Sequence, residues 1–224
     1  MLGLSVNILK MKNLFYILSF TTFNLYCQSN INEELDRIQQ LYWSENFNQV
    51  IYLSNSILDL HTLESNDIER ILVLKSSSQY YMGDYFGTLQ TISKISYVNE
   101  NYSLLKMKGD CKLNLKDYYG AIEDYTNSLE VTNKQSLNNV ICLDIYLLRA
   151  ECYFKLNKLD LASKDYTSVI KFPGVTSKYL KKAYFFRGLA YNNLGDKELA
   201  CKDFSKSMEL GEETAIEAIS RYCN

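Results

Sequence analysis

The chain has 224 residues, of which 47% are hydrophobic and 22% are charged. This composition supports a packed core and excludes wholesale disorder. The net charge is −2 and no basic block occurs, so we expect no nucleic-acid partner. One proline and nine glycines favour long helices with tight connections over a loop-rich β-fold.

The first 27 residues have the pattern of a cleavable signal peptide. Lys10 and Lys12 precede an apolar stretch over 14–27, and polarity rises abruptly at Gln28. The stretch is too short and too rich in hydroxyl groups for a comfortable membrane span. We therefore predict a signal peptide over 1–27, with Met11 as an alternative start, and no membrane span after cleavage. The expected location is the periplasm or cell envelope, or the medium after secretion.

Cys27 raises a second hypothesis, in which its thiol carries a lipid after cleavage. Lipoprotein signals have a small residue before that cysteine, whereas this chain has Tyr26. Simple cleavage near Cys27 is therefore favoured, and a lipid-anchored protein is the alternative.

A short motif recurs three times along the rest of the chain. It reads Ala-x-x-Asp followed by an aromatic residue, at 121–125, 162–166 and 200–204, with spacings of 41 and 38 residues. A small residue lies twelve positions before each alanine. Repetition with this period is typical of a stacked helix-turn-helix array. The small residues are Gly109, Ala150 and Gly188.

Anchoring on the alanine position predicts five repeats over 31–210, starting near residues 31, 69, 102, 143 and 181. Each is expected to be a pair of amphipathic helices. Asn66 and Glu69 have the spacing of a capping box, and Gly195-Asp196 has that of a helix stop followed by an N-cap. The segment 212–223 is expected to be a capping helix, because an array otherwise ends on an exposed apolar face.

The small residues have a physical role in such a pair. Two helices approach closely only where one side chain is small, so Gly188 and Ala200 are predicted to mark the crossing. Tyr191 and Phe204 would then fill the volume beside it.

These residues at these offsets resemble the tetratricopeptide repeat, over about residues 31–210. The resemblance implies an all-α, right-handed α-solenoid of about five helix-turn-helix repeats with a C-terminal capping helix. Arg149 and Arg187 stand where the family is usually apolar, and Lys112 replaces the family's Tyr. The C-terminal region also resembles envelope repeat proteins of Bacteroidetes-type bacteria.

Residues for catalysis are scarce. The chain has one histidine, His61, and no acidic residue lies at a spacing from it that would indicate a catalytic pair. The sequence also lacks a phosphate-binding glycine loop and a Cys-x-x-Cys motif. None of the six cysteines has zinc-ligand spacing. We therefore expect neither an enzyme, nor a cofactor, nor a metal site.

Cys201 and Cys223 are candidates for a disulfide. A turn near Gly211 would bring the last two helices alongside each other, and an exported protein meets an oxidising compartment. Cys111 and Cys152 occupy equivalent repeat positions and are expected to be packing residues.

The resemblance implies a concave groove lined by the first helix of each repeat. Aromatic rings with scattered charges would suit another polypeptide, bound as an extended segment or a helix. Some chaperone-binding members of the family hold a terminal carboxylate with an arrangement of lysine and asparagine side chains. This chain does not reproduce that arrangement. The groove candidates are Tyr42, Trp43, Tyr80, Tyr81, Lys106, Glu151, Phe154, Lys155 and Phe185.

The sequence thus favours a non-enzymatic scaffold for protein–protein interaction, with the first two repeats as the expected contact region. Two alternatives stay open: an envelope assembly factor anchored by lipid through Cys27, and a secreted effector that binds host proteins.

Overall fold

The computed structural model describes residues 31–59, 63–135 and 140–223. All regular structure in these ranges is helical, which confirms the all-α prediction. The chain divides into two compact units, an N-terminal unit Met1–Met82 and a C-terminal unit Gly83–Asn224. The predicted signal peptide over 1–27, Met11, Cys27 and His61 lie outside the described residues.

The N-terminal unit contains three helices within the described residues: α1 over 31–43, α2 Phe47–Leu58 and α3 Ser65–Tyr81. Their apolar faces meet in one core around the fully buried side chains of Ile38, Val50 and Ile71. This burial follows the 3.6-residue periodicity of the apolar positions.

The predicted capping box in this unit is wrong. Helix α3 begins at Ser65, and its N-cap Glu64 makes no side-chain capping hydrogen bond. Asn66 therefore lies inside the first turn, where its backbone is already helical and its side chain cannot serve as the N-cap.

In the C-terminal unit each helix contacts the next helix along the chain. In addition, α7 contacts both α5 and α9. A short 3-10 helix, Val98–Glu100, precedes α5. This succession of hairpins is the predicted helix-turn-helix array. The helices are α4 Tyr85–Ile92, α5 Tyr102–Asn114, α6 Tyr118–Lys134, α7 Val140–Lys155, α8 Leu159–Ile170, α9 Ser177–Leu194, α10 Lys197–Glu209 and α11 Thr214–Tyr222.

The turn inside each hairpin has one backbone geometry. A residue with positive φ ends the first helix, always five positions before the recurring alanine position. Next comes the N-cap of the second helix, and Asp196 accepts a hydrogen bond there from the Leu199 amide at 3.1 Å. The predicted Gly195-Asp196 stop and cap is confirmed. The left-handed residues are Glu45, Gly83, Lys116, Asn157 and Gly195.

The crossing of α9 and α10 depends on the absence of a side chain at Gly188. A Cβ there would lie 2.8 Å from the ring of Phe204 and 3.2 Å from the carbonyl oxygen of Ala200. Gly109 has the same relation to the ring of Tyr125, at 2.6 Å. The prediction that small residues mark the helix crossings is confirmed.

Helix α11 covers the end of α10. Ala218 joins the buried Ala200 and Phe204, and the ring of Tyr222 stacks on Phe204 with centroids 6.1 Å apart. A disulfide joins Cys201 of α10 to Cys223, with the two Cα atoms 5.6 Å apart. The cap is therefore held by both apolar contact and a covalent bond.

Three of the remaining cysteines, Cys111, Cys142 and Cys152, are buried inside the C-terminal unit. Burial raises the pKa of Cys111 and of Cys152 to about 12, so both thiols are protonated at neutral pH. Their role is packing, as their equivalent repeat positions predicted. None of the helices in the described ranges is both long enough and apolar enough to cross a bilayer.

Candidate functional site

Five aromatic side chains of the N-terminal unit meet where α1 ends, α2 begins and α3 ends. We call this group the aromatic cluster: Tyr42, Trp43, Phe47, Tyr80 and Tyr81. The ring of Phe47 stacks on that of Tyr81 with centroids 5.2 Å apart, and Tyr42 meets Trp43 edge-on at 5.6 Å. The hairpin turn at Glu45 brings Phe47 to Tyr42, with ring centroids 5.9 Å apart, and α3 adds Tyr80 and Tyr81.

The outer rings of the aromatic cluster face solvent. Trp43 is 73% exposed and Tyr81 is 62% exposed, whereas Tyr42 is half-buried beneath them. Burial raises the pKa of Tyr42, and the neighbouring Tyr81 raises it further. Large exposed rings held by their neighbours form an apolar contact surface that loses little side-chain entropy on binding.

Four of these five rings were predicted from the sequence as groove residues, whereas Phe47 was not. Phe47 is the first residue of α2, and the first helices alone were taken as groove-lining. Its short separation from Trp43 across a tight turn was the available signal. Only the packing of α3 against α2 reveals that Phe47 is the ring on which Tyr81 stacks.

The C-terminal unit carries a repeated polar arrangement built on the aspartate of the recurring motif. Arg149 of α7 donates two hydrogen bonds to Asp165 of α8, both at 2.8 Å, and a third to Thr126 of α6 at 2.9 Å. Arg149 thereby joins the two helices of its own hairpin to each other and to the hairpin before it. We call this arrangement the arginine ladder.

The next hairpin repeats the arginine ladder with equivalent residues. Arg187 donates to Asp203 at 2.7 and 2.8 Å and to Thr167 of the preceding hairpin at 2.9 Å. Tyr184 and Tyr191 place their rings 5.5 and 5.6 Å from the guanidinium carbon. Tyr146 and Tyr153 flank Arg149 in the same way.

The hairpin of α5 and α6 uses lysines instead. Lys108 and Lys112 reach the buried Asp124 at 3.1 and 2.7 Å. The three departures from the family pattern, Lys112, Arg149 and Arg187, therefore all neutralise the aspartate of the recurring motif. This role was not predicted from the sequence, although the arginine and its aspartate are sixteen positions apart in both hairpins.

The ionic character of the arginine ladder persists despite burial. Burial disfavours the charge of Arg149, but the hydrogen bonds and charge of Asp165 outweigh it, so the pKa of Arg149 is raised. Burial also raises the pKa of Asp165, against the attraction of Arg149. A cleft of 510 Å³ beside Tyr184, Arg187 and Tyr191 shows that the outer edge of the second arginine site reaches the surface.

The remaining groove candidates lie in the C-terminal unit and do not form one cluster. Lys106 is held by Asp110 at 2.7 Å, and Glu151 and Lys155 are exposed. Phe154 and Phe185 are half-buried against the apolar cores of their hairpins. Within 31–59, 63–135 and 140–223, no group of three metal-ligating side chains gathers.

A sequence-family model for the tetratricopeptide repeat matches residues 143–172 and 181–213. These ranges contain the two arginine-ladder hairpins. The heat shock protein STI1 of Saccharomyces cerevisiae is 32% identical over 105 residues, which are 47% of this chain and 16% of STI1. The chain thus spans a small part of that relative's length.

Solved structures resemble the chain over most of its length. YrrB, a tetratricopeptide-repeat protein, is 14% identical with a TM-score of 0.68, covering 84% of this chain and 90% of YrrB. MamA is 17% identical with a TM-score of 0.66, covering 86% of this chain and 94% of MamA. At these identities the likeness concerns the fold, and it agrees with the repeat pattern, the hairpin turns and the family match. The chain therefore contains tetratricopeptide repeats at 143–172 and 181–213, and its fold is similar to that of tetratricopeptide-repeat proteins.

Proposed function

We propose that this protein is a non-enzymatic scaffold that binds a segment of another polypeptide. The observation that carries the proposal is the aromatic cluster, in which Trp43 and Tyr81 are 73% and 62% exposed. Exposed rings of this size are the side chains that dominate binding energy in protein interfaces. A contiguous apolar surface on a soluble unit is a mark of an interaction site.

The contacts beneath the rings support binding without large rearrangement. Phe47 stacks on Tyr81, and Tyr42 lies between Trp43 and Tyr81 with centroid distances of 5.6 and 6.4 Å. Each outer ring is thus restrained before a partner arrives, which lowers the entropy lost on binding. YrrB is described as having an unusual peptide-binding site, which supports polypeptide binding as the role of this fold here.

The first test uses Trp43, the chain's single tryptophan, as a reporter. Peptides that bind the full chain are selected from a random displayed library, and tryptophan-free hits are titrated while Trp43 emission is recorded. Binding over the aromatic cluster is expected to shift that emission to shorter wavelength. Tyr81→Ala should weaken binding about tenfold, the effect of a hot-spot ring.

Tyr52→Ala is the matched control, because Tyr52 is 74% exposed on α2 and lies outside the aromatic cluster. It should leave affinity unchanged, and thermal unfolding should show that both variants fold. Equal weakening by both variants, or selected peptides that leave Trp43 emission unaltered, would refute binding at the aromatic cluster.

The cellular setting belongs to the same proposal. Export to the periplasm or envelope follows from the pattern of residues 1–27 and is measured by the mass of the mature N-terminus. A lipid mass on Cys27 would favour the anchored assembly factor, and recovery from the medium would favour the secreted effector.

A further inference from the structure

The two units differ sharply in charge. Residues 31–82 carry eight acidic and three basic side chains, a net charge of −5, whereas residues 83–224 carry eighteen acidic and nineteen basic, a net charge of +1. The excess negative charge therefore lies in the unit that holds the aromatic cluster. Lys10 and Lys12, which lie before both ranges, bring the chain's overall charge to −2, and that value conceals the difference.

Part of this charge lies in line with the aromatic cluster. Glu33, Asp36, Gln40 and Trp43 follow one another along α1 at offsets of 0, 3, 7 and 10, and all four are exposed. At 3.6 residues per turn these offsets fall on one side of the helix, about 15 Å long. We call this side the acidic stripe.

An exposed carboxylate on each side of Trp43 in the chain is not neutralised within the described residues. In the described part of the chain, neither Asp36 nor Glu45 has an ion-pair partner, while Glu34 and Asp67 are the acids that face Arg37 and Arg70. Glu45 adds its charge in the hairpin turn between Trp43 and Phe47. Exposed aromatic faces flanked by unpaired carboxylates attract cations through both the ring quadrupole and the charges.

We infer that the aromatic cluster and the acidic stripe together bind a cationic polypeptide segment, one that presents arginine or lysine beside an apolar side chain. This inference rests on the proposed scaffold function and names its partner class. An arginine side chain on Trp43 or Tyr81 lies within reach of Asp36 or Glu45, and the apolar side chain covers the rings. The net charge of −5 repels nucleic-acid phosphates and anionic lipid headgroups from the same surface.

The test compares three synthetic peptides of about twelve residues, long enough to follow the acidic stripe. Each alternates leucine with one polar residue: arginine in the first, glutamine in the second, glutamate in the third. None contains tryptophan, so Trp43 emission of the full chain reports binding. The arginine peptide is expected to bind at least about tenfold more tightly than the glutamine peptide at low salt, and the glutamate peptide not to bind.

Charge-removing variants locate the effect. Asp36→Asn and Glu45→Gln should each weaken arginine-peptide binding about threefold to fivefold, as expected for one close charge pair at the surface. Asp59→Asn removes the same charge from the exposed C-terminus of α2, about 18 Å along that helix from Phe47, and should change affinity less than about twofold. Near 1 M salt, where the Debye length is about 3 Å, Asp36→Asn, Glu45→Gln and Asp59→Asn should all bind the arginine peptide as the unaltered protein does.

The outcomes separate this inference from the scaffold proposal. If the three peptides bind alike, or if Asp59→Asn weakens binding as much as Asp36→Asn, the cationic partner is refuted while polypeptide binding stands. If none of the three binds but library-selected peptides do, the inference alone fails. If the library-selected peptides do not bind either, both the cationic-partner inference and the scaffold proposal are refuted.

Discussion

The paired side chains of Arg187 and Asp203 test how far one interaction supports the fold. The side chain of Arg187 is 15% exposed and that of Asp203 is 5% exposed, and Asp203 accepts two of the three hydrogen bonds that Arg187 donates. Asp203→Asn leaves a buried guanidinium without its carboxylate and should lower the free energy of unfolding by about 3 kcal/mol. Chemical denaturation of the full chain measures this loss.

Glu209→Gln is the control for Asp203→Asn. It breaks the ion pair between Lys206 and Glu209, which has the same 2.7 Å separation but is more than half exposed on both sides. Its unfolding midpoint should equal that of the unaltered protein, since solvent already satisfies both groups. If both variants lost the same free energy of unfolding, burial of the pair between Arg187 and Asp203 would contribute nothing to stability.

The hairpin turns give a second prediction at the residue scale. Lys116 has a φ of 64°, a left-handed conformation that strains residues with a Cβ. Lys116→Gly should stabilise the protein by about 1 kcal/mol.

The opposite substitution, from glycine to a residue with a Cβ, can be made at the equivalent turn position Gly195. Gly195 has a φ of 87°, and a Cβ there would meet no atom within 4 Å. Gly195→Ala should therefore destabilise by about 1 kcal/mol through backbone conformation alone. Thermal unfolding measures both variants, and changes of the same sign would contradict the shared turn geometry.

At the scale of elements, the distance between α9 and α10 depends on Gly188. A Cβ at that position would lie 2.8 Å from Phe204, whose ring is fully buried and has no room to move. Gly188→Ala should cost about 1–3 kcal/mol by overpacking.

A double-mutant cycle distinguishes this clash from a general effect of the substitution. In a Phe204→Leu background the smaller side chain relieves the contact, so Gly188→Ala should cost measurably less there. Additive losses in the two backgrounds would show that Phe204 is not what excludes a Cβ at position 188.

Much at this scale was predictable. The recurring alanines and their small partners specified helix pairs and crossings, because close packing of two helices restricts residue size at the crossing. The capping box failed because capping motifs are short and occur by chance, and α3 begins at Ser65 instead. The arginine ladder was visible only as isolated departures, since a residue sixteen positions away becomes a neighbour only after the hairpin closes.

At the scale of the whole molecule, the cap α11 provides a test of how stability is distributed. In a repeat array each hairpin is stabilised mainly by its neighbours, so loss of the cap should loosen the C-terminal unit from its end inward. Cys223→Ser removes the bond to Cys201. Hydrogen exchange should then rise most in α11, less in α10 and least in α5 and α6.

The unaltered protein under reducing conditions should show the same graded pattern, which ties the effect to the disulfide. Alkylation before and after reduction supplies the chemical check, with Cys201 and Cys223 modified only after reduction. Uniform loss of protection across α5–α11 would show instead that the C-terminal unit unfolds as one cooperative body.

The sequence by itself determined the fold class and the positions of the hairpin turns. These properties are local or periodic, so they can be read from residues a few positions apart. The tertiary structure decided which rings form the aromatic cluster, because Phe47 and Tyr81 are 34 positions apart and meet only when α3 packs on α2. It also decided that Arg149 and Arg187 are internal ion pairs, since burial of a charge depends on what the folded chain places around it.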